Sequence, residues 1–201
     1  MKILAVSDLH NDAAQVRKLA ERAEKDGVKV VVICGDITFF DDYEDGMIGP
    51  FLKKGMQVLM VPGNHDSEAT IDFMLKKYSM RNIHGDSALL DSVGIFGAGW
   101  ATNVGPVMIS EKEMRNCLRK GFEDVKEQKV KIMVTHVHPK GGAVEREYGY
   151  PGSSSVTKMI YELKPDLHLH GHIHEAEGNE DLLGNTISLA VGKHGKIIEI
   201  E

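Results

Sequence analysis

The stretch Leu167-His168-Leu169-His170-Gly171-His172-Ile173-His174 decides how this chain is read. Four of the ten histidines fall within seven residues. Leu167 and Leu169 alternate with His168 and His170, so a strand puts the leucines on one face and these two imidazoles on the other. Gly171 ends the alternation and turns the backbone. His172 and His174 then stand just past a strand end, and imidazole is the commonest metal ligand among side chains. His168 and His170 are expected to be strand residues, hydrogen-bonded beneath such a site.

Working outward, polar residues collect past other strand ends. The apolar run Ile3 to Val6 reads as a strand buried on both faces, followed by Asp8 and His10. Val28 to Cys34 is a second such run, followed by Asp36. Met56 to Val61 is a third, followed by Asn64, His65 and Asp66. Lys131 to Thr135 precedes His136 and His138. Between these runs lie helical patterns. One is capped by Asn11 or Asp12 and runs from Ala13 to Lys25, with Val16, Leu19, Ala20 and Ala23 at helical spacing. Others begin at Ser67, at Ser110 (whose Glu113 completes a capping box) and at Ser153. A short helix interrupted by Gly49-Pro50 is expected within residues 43–54, loops over 97–106 and 136–152, and short strands over residues 83 and 87–96. Ile187 to Ala190 and Lys196 to Ile200 are expected to close the chain as a hairpin-like pair. Strands alternating with helices define an α/β layered fold, and open α/β sheets place their ligands at the carboxyl ends of the strands.

The bulk numbers narrow the classes. At 201 residues the chain is expected to form a single domain over residues 1–201. A net charge of -6 argues against a broad phosphate-tracking surface, and the Lys53-Lys54, Lys76-Lys77 and Arg119-Lys120 pairs are dispersed, so nucleic acid is a disfavoured partner. Cys34 and Cys117 build no CxxC zinc site and read as buried thiols of a reducing compartment. No apolar run reaches the length of about 18 residues needed to span a membrane. The expected setting is cytoplasmic. Asp, His and Asn donors without thiolate suit Mn, Fe, Co, Ni or Zn. Seven candidate ligands are too many for one tetrahedral ion and suffice for two ions about 3.5–4 Å apart.

Asp8-Leu9-His10, Gly35-Asp36, Gly63-Asn64-His65-Asp66, His136 and Gly171-His172-Ile173-His174 together resemble the signature of the calcineurin-like metallophosphoesterases, in order and spacing, over nearly the whole chain. The resemblance implies a four-layer α/β/β/α sandwich of two mixed sheets flanked by helices. It implies two divalent transition-metal ions, manganese first among them. Asp8, His10 and His174 would hold one ion, Asn64, His136 and His172 the other, and Asp36 both. His65 would contact the phosphate and protonate the leaving group. Asp66 would join it in the catalytic pair, by orienting His65 or by securing the loop.

The implied activity is hydrolysis of phosphomonoesters or phosphodiesters by activated water, with a slight edge to diesters, on a small phosphoester substrate. A non-catalytic scaffold on the same fold and a nuclease are the alternatives. Phe39 stands where the iron-tyrosinate branch has tyrosine, and Ile37-Thr38-Phe39 lacks the Asp-Arg-Gly stretch of the protein phosphatases. His136 is preferred over His138 as the ligand because it follows its strand directly. His138 is carried as a substrate contact beside Asn64 and His65. Trp100, Tyr148 and Tyr150 are read either as stacking on a substrate ring or as packing their loops. His84 reads as structural, and His194 as solvated.

Overall fold

A computed structural model describes residues 1–200. Its first sheet has the order β11-β1-β2-β3-β4, formed by Lys196–Glu199, Lys2–Val6, Val30–Ile33, Gln57–Met60 and Arg81–Asn82. The second has the order β5-β6-β7-β8-β10-β9, formed by Ser87–Leu90, Val93–Ala98, Val130–Thr135, Leu167–His170, Thr186–Ala190 and Glu180–Leu183. β1, β2, β3 and β4 run parallel, as do β6, β7, β8 and β10, while β11, β5 and β9 are antiparallel edge strands.

Strand alternation sorts the side chains into layers. Leu4 and Val6 of β1 pack with Val16, Leu19 and Ala20 of α1 (Ala13–Lys25), Phe51 of α2 (Gly49–Lys53) and Ile71 of α3 (Glu68–Lys77). Ile3 and Ala5 point the other way, into an inter-sheet core shared with Ile95, Ile132, Val134 and Leu169. Phe96 and Met133, on the far face of the second sheet, meet Met114 and Leu118 of α4 (Glu111–Glu123) and Met159 of α6 (Ser154–Leu163). The layers are therefore α/β/β/α. The strands in the middle are buried on both faces, which is why their sequences read as unbroken apolar runs.

Caps define the helix starts. The Asp12 carboxylate accepts from Gln15 N–H, and the hydroxyls of Ser67, Ser110 and Ser153 accept from the N–H three residues on. Pro50 opens α2 instead of interrupting a helix, because the first turn needs no N–H from it.

The expected terminal hairpin is corrected. β10 lies in the second sheet between β8 and β9, whereas β11 crosses to pair antiparallel with β1 in the first. The residue 136–152 loop holds a short helix, α5 (Ala143–Tyr148), ended by Gly149 in the left-handed conformation. The edge strand β9 leaves little trace in the sequence: its burial alternates only weakly and Glu180 and Asp181 open it. No helix among the described residues is long and apolar enough to cross a membrane.

Candidate metal centre

The carboxyl ends of β1, β2 and β3 in one sheet and of β7 and β8 in the other lie against each other. Hydrogen bonds zip the loops that leave them. Asp8 N–H donates to Gly35 O at 3.1 Å, His10 N–H to Asp36 O at 3.1 Å and Gly171 N–H to His136 O at 3.0 Å. Across the sheets, His172 N–H donates to the Asp8 carboxylate at 3.1 Å, and within the first sheet's loops His65 N–H donates to Asp36 Oδ1 at 2.8 Å. Two glycines permit this approach. A Cβ on Gly63 would sit 2.0 Å from Asp36 Oδ1, and one on Gly171 would sit 1.9 Å from Ser7 Oγ. Asp8, His10, Asp36 and His172 all have positive φ, between 41° and 76°. Such backbone costs on the order of 1 kcal/mol per non-glycine residue and persists where surrounding contacts over-determine it.

The side chains converge. Donor atoms of Asp8, His10 and His174 lie within 4.8 Å of one another, as do those of Asp8, Asp36 and His136. Asp36 Oδ2 stands 3.6 Å from His10 Nε2 and 3.4 Å from His136 Nε2, between the two groups. His10 Nε2 is 3.1 Å from His174 Nε2. His136 Nε2 is 2.8 Å from Asn64 Oδ1 and 3.2 Å from His172 Nδ1. Backbone carbonyls set the tautomers: His10 Nδ1–H donates to Thr38 O at 3.0 Å and His136 Nδ1–H to Cys34 O at 2.8 Å. In the neutral rings the Nε2 lone pairs then face inward, the orientation that a carbonyl on the other ring nitrogen imposes on metal-binding histidines. Acceptor atoms crowded this closely require a cation or a proton among them.

Charge and burial act together on these groups. Burial opposes charge on His136, but Asp36 and Asp8 outweigh it and raise the imidazole to about 9. Burial would raise the Asp36 carboxyl, but His136 dominates and holds it below the usual range. Burial, followed by His136, lowers His172 to about 3. The donor set fits divalent ions: two carboxylates, an amide oxygen and four imidazoles, gathered at one sheet edge.

Every residue expected to bind metal is at this locus, and His65 is beside it. His65, Asn64, Asp36, His172, His174 and Tyr150 line a cavity of about 270 Å³. A second cavity of about 360 Å³ shares His174 with the first and is bounded also by Asp8, His10, Lys193, His194 and Glu177 among others.

Two polar side chains beside the cluster are buried. The Asp66 carboxylate is fully buried and accepts from Gly63 N–H, Thr38 N–H, Thr38 Oγ1–H and Ile37 N–H at 2.9, 2.9, 2.8 and 3.3 Å. These bonds clamp the β2 and β3 loops together and none goes to the His65 ring, which matches the loop-securing role among the two expected for Asp66. His138 is also fully buried, and its Nε2–H donates to Tyr150 O at 3.0 Å. His138 is among the lining residues of neither cavity described above.

Other side chains find structural partners. Trp100 Nε1–H donates to Asp66 O at 2.8 Å, which ties its loop to the β3 loop. Tyr150 lines the cavity wall, whereas Tyr148 is simply exposed. His168 Nε2 meets Thr135 Oγ1 at 2.8 Å and its Nδ1 meets Ser188 Oγ at 2.9 Å, as a hydrogen-bonded strand residue should. His84 Nδ1 accepts from Gly99 N–H, and its Nε2 meets Cys117 Sγ at 3.2 Å. Cys117 is thus half-buried against an imidazole instead of lying in the core. His194 is exposed but paired with Glu177 at 2.8 Å. Sequence reasoning overlooked Thr38, whose carbonyl holds His10 and whose hydroxyl meets Asp66, because a threonine beside a motif carries no distinctive signal.

Comparison with known proteins places this geometry. The family model for calcineurin-like phosphoesterases matches residues 1–176. The chain belongs to that family. An uncharacterized protein of Methanocaldococcus jannaschii is 31% identical over 198 residues, covering 93% of this chain and 86% of that protein. The crystal structure of TT1561 from Thermus thermophilus superposes with a TM-score of 0.77 at 17% identity, covering 96% of this chain and 90% of that one. A structure described as a novel archaeal phosphodiesterase has a TM-score of 0.55 at 20% identity, covering 96% and 84%.

Proposed function

We propose that this protein is a dinuclear-metal phosphoesterase acting on small phosphoesters, with a slight preference for diesters. The observation that carries the reading is the position of Asp36, between one group made of Asp8, His10 and His174 and another made of Asn64, His136 and His172. The first three would hold one ion, the second three another, and Asp36 both. Manganese is the first candidate, and Fe, Zn, Ni and Co share the same donor preference. When bound, two such ions polarise phosphoryl oxygens and make water a nucleophile at neutral pH.

The chain supplies the rest. Asn64 contributes a neutral oxygen, which limits the negative charge that a phosphate must approach. His65 faces the cavity beside Asp36 and is placed to touch the phosphate and give a proton from Nε2 to the departing oxygen. The clamp made by Asp66 holds the His65 loop against the Asp36 loop, so acid and phosphate keep a fixed separation. A phosphate beside Asp36, Asn64 and His65 has room for a second ester substituent toward the adjoining cavity bounded by Asp8, His10 and His174, which supports the diester preference. The shared inter-sheet core supports a single domain, and the two free thiols support a cytoplasmic setting.

The test is a hydrolysis screen of matched mono- and diesters with Mn, Fe, Zn, Ni and Co supplied separately to metal-stripped protein. Turnover of methyl aryl phosphate diesters above the corresponding monoesters is expected. Stoichiometric metal binding without turnover of any ester would replace this reading with the scaffold alternative.

A further inference from the structure

Phe39 and Phe40 follow Asp36 in the same loop and are 51% and 61% exposed, whereas Phe51 and Phe96 are wholly buried. Phe40 and Asp41 take positive φ, 51° and 62°, a costly conformation for a bulky residue. The loop is nonetheless pinned. Asp41 N–H and Thr38 Oγ1–H both donate to His65 O, at 3.1 and 3.0 Å, and Ser67 N–H donates to Asp41 Oδ1 at 2.7 Å. Backbone strain and two solvent-facing phenyl rings are therefore held in place by hydrogen bonds to the loop that carries His65.

The rings enclose that histidine. Phe39 stacks on His65 with centroids 5.3 Å apart and planes 13° apart, and Phe40 meets it edge-on at 4.4 Å. Phe39 also stands edge-on to His10 at 5.5 Å. His65 Nδ1 is buried without a hydrogen-bond partner, which leaves Nε2 as the nitrogen available to a substrate. Phe39 and Phe40 also meet each other edge-on at 4.8 Å, yet half or more of each residue stays open to solvent. The remaining ring surface lies beside the group from which a leaving oxygen would take its proton.

The geometry points to Phe39 and Phe40 as the specificity-determining subsite for the leaving group, selecting phosphoesters whose departing alcohol carries a planar aromatic ring. This rests on the phosphoesterase reading above and adds the substrate class. Offset or edge contacts between aromatic rings are worth about three- to tenfold in affinity beyond what an aliphatic ring of equal area gains. The ring can belong to an aryl group or to a nucleobase.

The test uses metal-loaded protein and three methyl phosphate diesters, of 2-naphthylmethanol, of decahydro-2-naphthylmethanol and of the adenosine 5′-hydroxyl. All three leave as primary alcohols, so their intrinsic reactivities are similar. Release of the larger alcohol should favour naphthylmethyl over decahydronaphthylmethyl about tenfold in kcat/KM, carried by KM. In Phe40→Leu and Phe39→Leu that ratio should fall toward one, and Phe40→Tyr should retain it. The adenosine ester tells an aryl site from a nucleobase site: turnover at the naphthyl level assigns a nucleobase, and turnover at the decahydronaphthyl level an aryl group. A wild-type ratio near one, or variants that slow all esters in parallel, would overturn the subsite and leave the phenyl rings as packing for His65. Calorimetry with 2-naphthylmethylphosphonate and decahydro-2-naphthylmethylphosphonate gives the same ratio without turnover. If no ester is hydrolysed with any metal, the phosphoesterase reading fails, and the phosphonate ratio still decides the aromatic subsite.

Discussion

Replacing Asp66 by asparagine tests how the centre is held together. In the wild type, Oδ2 accepts from Gly63 N–H and Ile37 N–H, and Oδ1 accepts from Thr38 N–H and Thr38 Oγ1–H. An amide keeps one oxygen and turns the other into a donor. If the NH₂ takes the Oδ2 place, two backbone N–H groups lose their acceptor. If it takes the Oδ1 place, the threonine hydroxyl can rotate to accept and only Thr38 N–H is stranded. The second arrangement is cheaper, and one buried unsatisfied donor costs about 1–3 kcal/mol. A smaller effect opposes it. Burial, and then the like charge of Asp36, push the Asp66 carboxyl above its usual range, so a neutral amide relieves part of that penalty. The stranded donor should still win, for a net loss of about 2 kcal/mol. In a chain of 201 residues that lowers Tm by roughly 4–8 °C. Asp66→Ala strands all three backbone donors and should cost more. Thermal and urea unfolding of the metal-free proteins measure the loss, and steady-state kinetics of the loaded proteins follow it. The clamp is refuted if Asp66→Asn unfolds with the wild type while kcat falls, since Asp66 would then act through the His65 ring and not through the backbone.

Three further outcomes are expected. Asp36→Asn should weaken both ions together, read by elemental analysis after dialysis; one ion retained at full occupancy would exclude a shared carboxylate. Metal affinity should rise with pH. With His136 raised to about 9, burial being outweighed by Asp36 and Asp8, the metal-free protein carries a proton there at neutral pH that an ion must displace. Below that value apparent affinity should fall about tenfold per pH unit, with about one proton released per protein, measurable by calorimetry in buffers of different ionisation enthalpy. A flat profile from about pH 6 to 8 would contradict this. Gly171→Ala, whose Cβ would sit 1.9 Å from Ser7 Oγ and 2.5 Å from Asp8 Oδ2, should cost about 1–3 kcal/mol and lower metal content. Unchanged stability and unchanged metal would show that the two sheets can part without disturbing the centre.

Much of the centre is legible in the chain because local rules place it. Buried parallel strands read as apolar runs, and polar residues just past their ends face the sheet edge whatever the partner strands are. The alternation through Leu167 and His170, broken at Gly171, separates strand histidines from candidate ligands without any knowledge of the fold. Pairing is different. β10 and β11 have similar short patterns joined by a glycine-containing turn, and which edge each one meets depends on partners outside that turn, β8 for one and β1 at the far terminus for the other. Direction of a side chain in an irregular loop is equally non-local. His138 follows its strand almost as closely as His136, but the carbonyl of Tyr150 draws it inward.

The sequence by itself determined which side chains are available for metal chemistry and that each follows a strand, since period-two burial and glycine turns are properties of neighbouring residues. Only the tertiary structure decided that β1 to β3 and β7 to β8 belong to different sheets stacked with their carboxyl ends together, because inter-sheet packing depends on the matched apolar faces of distant segments. That stacking puts Asp36 between the histidines of the two sheets. It also leaves Asp66 with the loops to hold and surrounds His65 with Phe39 and Phe40.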